Sequence, residues 1–168
     1  MEGTTMELEL RRCRSTLRIV GTGVIAFAVW AALKPLLLLL MVPEEAVDSA
    51  LFQELPQIGK LIAVLIIILI VALGIGFRLY LGFSARAEGL GNRKGNAYVI
   101  LAFVYLFIQV SINISSLAYL IKNGIADQAF AQTATSLILE ISSTVTTGEM
   151  AFMGAKVKRL SARLRGTV

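Results

Sequence analysis

LIAVLIIILIVALGIGF, residues Leu61–Phe77, contains no charged or strongly polar side chain. As a helix rising ~1.5 Å per residue, such a run nearly fills a hydrocarbon core about 30 Å thick. Its full apolar reach is 58–83, and three further stretches of the same kind lie at 19–42, 97–121 and 125–153. The sequence therefore predicts an all-α polytopic membrane protein. The expected fold is an antiparallel four-transmembrane-helix bundle forming a single membrane domain over residues 1–168.

Charge placement supplies the orientation. Arg11, Arg12, Arg14 and Arg18 precede the first stretch, Arg78, Arg86, Arg93 and Lys94 gather about the second connection, and Lys156–Arg165 form a basic tail. The other two connections carry only Lys60 and Lys122, while Lys34 sits inside the first stretch. This alternation is the positive-inside pattern, and it puts residues 1–18, 84–96 and 154–168, with both termini, in the cytoplasm. The first stretch is too long for the h-region of a signal peptide, so an uncleaved span is expected. A basic inner face suits a bacterial cytoplasmic membrane.

Composition narrows the function classes. The chain is 57% apolar with a net charge of +5, and its mean hydropathy is +0.78. The bases flank hydrophobic spans, which argues for anionic lipid headgroups as partners and against nucleic acid. There is no histidine and a single cysteine, Cys13. No cofactor motif, metal-ligand spacing or catalytic signature is present, so neither a metal site nor an enzyme is expected. Gly89, Gly91 and Gly95 fit neither phosphate-binding glycine pattern and read as a tight cytoplasmic hairpin.

Three short interfacial helices are expected besides the spans. In residues 1–18, Met6, Leu10, Cys13 and Leu17 recur at helical spacing among arginines. In the tail, Val157, Leu160 and Leu164 alternate with bases. In the first outer loop, Pro43-Glu44-Glu45 opens like a helix, and Val47, Leu51 and Leu55 make one stripe. Gly74 and Gly76 are expected to permit close helix contact or local bending. A very short connection near Lys122-Asn123-Gly124 predicts that spans three and four pack as a hairpin.

The candidate site is a polar seam. Gln132, Ser136, Glu140, Ser143 and Thr147 share one face of the fourth span. Gln109 and Asn113 share a face of the third. Glu140 falls ~20 Å below the outer surface by helical rise, where a charged carboxylate must be paired, hydrated or protonated. Lys34 lies at a depth similar to Gln109 and Asn113, able to bond them or to snorkel outward. Arg78 and Glu149 match in depth near the inner boundary and make a candidate ion pair.

Two function classes follow. In the first, the seam binds or moves a small solute, cation or proton, and the sequence leans this way because its polarity is concentrated on one stripe. In the second, the seam is helix-packing glue in an accessory subunit of a larger membrane assembly or a homo-oligomer.

Overall fold

The computed structural model describes residues 2–41, 57–92, 95–123 and 130–166. Among these the regular structure is all helical: α1 (Glu2–Met41), α2 (Gln57–Gly89), α3 (Ala97–Asn123) and α4 (Phe130–Gly166). Three of the four are long and apolar enough to cross a membrane, over Thr5–Leu33, Leu61–Gly89 and Ala97–Lys122. α4 has the length, but its serines, threonines and Glu140 dilute its apolarity.

Several boundaries differ from those expected. Residues 1–18 are not a separate surface helix, because α1 runs without a break from Glu2 through Pro35 to Met41. The basic tail likewise continues α4. Neither Arg18 nor Gly154-Ala155 interrupts its helix, so basic and apolar segments run on in one helix. α2 continues past Phe83 to Gly89. It ends where Gly91 turns to φ 94°, with Asn92 N donating to Ala87 O at 3.0 Å and Gly91 N to Glu88 O at 3.0 Å. That bond pair around a left-handed glycine is a Schellman stop. The glycine-rich connection is thus a helix terminator followed by a new start at Asn96, whose carbonyl accepts from Val99 N and Ile100 N. The outer-loop helix expected within 43–56 lies outside the described residues.

The chain divides into two compact units, Met1–Val24 with Leu81–Val168, and Ile25–Tyr80. The first holds the principal core. Leu17, Leu81, Tyr98, Met150 and Val157 are fully buried there, one or more from every helix. Each helix contributes a seam spaced by three and four residues. On α1 it is Leu10, Cys13, Leu17, Val20 and Val24, and on α2 it is Leu81, Ser84, Ala85 and Glu88. That spacing keeps one stripe of a helix facing its neighbours over several turns.

Small residues set how closely the helices approach. A Cβ on Gly89 would lie 2.7 Å from Arg18 N and 2.8 Å from Arg14 O, and one on Gly21 would lie 2.9 Å from Arg86 N. α1 and α2 therefore touch backbone to backbone at Gly21 and Gly89, with Gly82 and Ala85 between. α3 and α4 run antiparallel. Tyr98, Leu106 and Gln109, in ascending order, meet Gly154, Gly148 and Ser143, in descending order. Phe103 and Phe152 add an edge-to-face contact with centroids 5.4 Å apart.

In the second unit the described part of α2 is largely apolar and exposed. Ile62, Leu65, Ile66, Leu69 and Leu73 of α2 are exposed. Gly74 and Gly76, expected to permit close contact, meet no atom within 4 Å among the described residues.

Candidate functional site

α3 and α4 bring part of the expected seam together, Gln109 with Ser143, and pair Asn113 with Thr144 beside it. Asn113 Nδ2 donates to Thr144 Oγ1 at 2.8 Å, and that hydroxyl donates onward to the Glu140 carbonyl at 2.8 Å. Thr144 is therefore satisfied as both acceptor and donor. One turn along, Gln109 Nε2 reaches Ser143 Oγ at 3.4 Å, a long bond that holds only loosely. Thr147, 1% exposed, donates to Ser143 O at 2.9 Å. Ser142 and Thr146 likewise donate one turn back, to Ile138 O and Ser142 O. A hydroxyl returned to its own i−4 carbonyl is a polar group made compatible with an apolar surrounding.

Two polar atoms of the seam stand apart. Gln109 Oε1 is buried without a hydrogen-bond partner. Glu140 is half-buried, and among the described residues its carboxylate receives neither a hydrogen bond nor an ion pair. Exposed Ile138 and Ile141 flank it on the helix. Ser136 is half-buried nearby. The side chains of Lys34 and Gln132 lie outside the described residues. Arg78, half-buried, belongs to the second unit, and Glu149, exposed, to the first.

The structure adds a cluster that sequence reasoning passed over. Lys158 Nζ donates to Glu88 Oε2 at 2.8 Å, the lysine side chain 22% exposed and the carboxylate 4%. The same ammonium stands 5.7 Å from the centre of the Tyr98 ring, within cation–π range. Gly154 makes room for this ring, since a Cβ there would lie 3.0 Å from the phenol oxygen. A second link joins α1 to α4, with Lys156 Nζ 2.7 Å from Glu9 Oε1. Both groups there are about half exposed. Glu9 beside it, by hydrogen bond and then by charge, holds the Lys156 ammonium above its ordinary range.

The signal for Glu88 lay in the periodicity. Leu81, Ser84, Ala85 and Glu88 follow i, i+3, i+4, i+7, so one helical face runs on past the last apolar residue of the span. Glu88 was hidden because three nearby glycines marked a loop.

Among the described residues no group of histidine, cysteine, aspartate and glutamate side chains is placed to hold a metal ion. Comparison with protein families, curated proteins and solved structures gives no match. The reading of this site rests on its own geometry.

Proposed function

We propose that the chain is a non-catalytic subunit of a membrane assembly, a larger complex or a homo-oligomer, which it joins through the face of α4 that carries Glu140. In this reading α4 is the fourth span, both termini are cytoplasmic, and the basic ends meet anionic headgroups of a bacterial cytoplasmic membrane. The observation that carries the reading is a contrast within one helix. Asn113, Thr144, Ser142, Thr146 and Thr147 are bonded within the α3–α4 pair, whereas the Glu140 carboxylate, on the same helix, has no such bond among the described residues. A carboxylate at that depth costs at least a few kcal/mol unless something supplies a partner. A donor from a neighbouring chain fills that need, and exposed Ile138, Ile141 and Val145 offer it an apolar surround.

A second reading keeps the seam as a path for a proton or small cation. Gln109 Oε1, buried and unbonded, is the observation in its favour, since a path needs acceptors that the fold does not consume. Glu140→Gln separates the two. Glutamine keeps the shape and can still bond a neighbouring chain, so the assembly reading expects size-exclusion profile and co-purifying partners to persist, while Glu140→Leu releases them. The path reading expects Glu140→Gln to abolish pH-dependent flux in reconstituted vesicles. A Glu140→Leu protein with unchanged assembly refutes the proposal made here.

A further inference from the structure

α1 and α4 enclose an open groove of about 500 Å³ at the basic end of the first unit. This is within the range of about 300–1,000 Å³ typical of small-molecule sites. Glu9 stands on the α1 side, and Phe152, Met153, Lys156, Arg159 and Arg163 line the α4 side. Among the described residues the lining carries three bases and one carboxylate, and Lys156 is bonded to that carboxylate. Arg159 and Arg163, four residues apart, share a helix face and are both exposed.

The lining is sorted along the helix axis. Phe152, 63% exposed, and Met153 fall in the last turn of the apolar stretch 125–153. Lys156, Arg159 and Arg163 follow over the next ~15 Å. Apolar then cationic, in that order across a membrane boundary, is the complement of an acyl chain leading to an anionic headgroup. A planar guanidinium fork binds phosphate through paired N–H donors.

We propose that this groove is a binding site for one anionic phospholipid of the cytoplasmic leaflet. Arg159 and Arg163 hold its phosphate, and Phe152 and Met153 support the start of its acyl chains. The Lys156–Glu9 bond forms the wall that ties α1 to α4 and confines the headgroup. The inference rests on the membrane reading above and deepens it. It assigns a lipid of defined charge to one place on the chain, beyond a diffuse attraction of bases to the bilayer.

The test uses the full-length protein in detergent, titrated with phosphatidylglycerol or phosphatidylcholine and read by native mass spectrometry. The parent is expected to retain phosphatidylglycerol in preference. Each base near an anionic surface contributes about fivefold in affinity, so Arg159→Gln with Arg163→Gln is expected to weaken retention about 25-fold. The matched control is Arg11→Gln with Arg12→Gln, both exposed on α1 and outside the groove. It makes the same charge change and is expected to retain the lipid. Melting curves establish that both variants are folded. Equal loss in the control, or unchanged retention in the groove variant, overturns the site. Glycerol phosphate binding as tightly as phosphatidylglycerol also overturns it, since the site would then take a free anion. Extraction of the chain from phosphatidylcholine vesicles by alkaline carbonate would instead refute the membrane reading. A chain that stays in those vesicles but shows no preference for phosphatidylglycerol refutes the lipid site alone.

Discussion

Removing the charge of Lys158 should cost far more than removing that of Glu88, although the two form one 2.8 Å bond. The carboxylate is 4% exposed and cannot turn to water, whereas the lysine side chain is 22% exposed and has a flexible stem. Breaking a buried pair from one side costs about 3–5 kcal/mol, and the partial exposure of Lys158 puts Lys158→Met near ~3. The cation–π contact with Tyr98 is lost in the same step. Glu88→Gln keeps a hydrogen-bond acceptor in place and lets the ammonium move outward, for ~1 kcal/mol. At roughly 2–4 °C per kcal/mol for a chain of this size, Lys158→Met should lower the melting temperature by about 6–12 °C. Glu88→Gln should lower it by about a third of that. The double variant should melt near Glu88→Gln, because the buried charge that Lys158 answers is gone. The assay is thermal unfolding in detergent, completed as a double-mutant cycle. Additive losses, or a Glu88→Gln loss as large as that of Lys158→Met, refute this reasoning.

Gly89→Ala should destabilise the chain by about 1–3 kcal/mol, since its Cβ meets α1 backbone that has no side chain to swing away. Gly74→Ala, with open space around it, should be neutral or stabilising in the same melting assay. Lys156 is held above its ordinary value of 10.5 by Glu9, so the pair's contribution is complete at neutral pH. It is lost as pH rises from 10.5 through that raised value. Glu9→Gln should therefore speed acylation of Lys156 at alkaline pH, measured by mass spectrometry, and an unchanged rate would sink this point.

Long uniform signals were legible in the sequence and local interruptions were not. Leu61–Phe77 lacks any polar side chain, and no packing arrangement changes what that implies. The polar face of α4 was equally plain, because hydroxyls and amides repeating every three or four residues must point one way. The short connection implied that α3 and α4 pair, but not which side chains meet: Asn113 bonds Thr144, a residue off the face that carries Glu140 and Ser143. The ends of the helices were misread because composition changes at a membrane boundary while helix geometry does not. Leu10, Cys13 and Leu17 looked like a stripe for lipid, yet they are buried in the protein core. Gly89 looked like a turn and is a point of backbone contact, while Gly74 and Gly76, in a better setting for contact, meet no atom among the described residues. A glycine states only that space is available, and the neighbour across the gap decides its use.

The first unit joins the beginning of α1 to the far end of α4 through the Glu9–Lys156 bond. This has a consequence for biogenesis. α4 is the last helix to leave the ribosome, so α1 can close on α2 at Gly21 and Gly89 while its α4 partner is still missing. Insertion and closure must then be separate events, the first proceeding helix by helix and the second waiting for the basic end of α4. In that interval Glu9 lacks the ammonium that answers it in the finished chain, so an inserted chain and a closed one differ in charge pairing at this end.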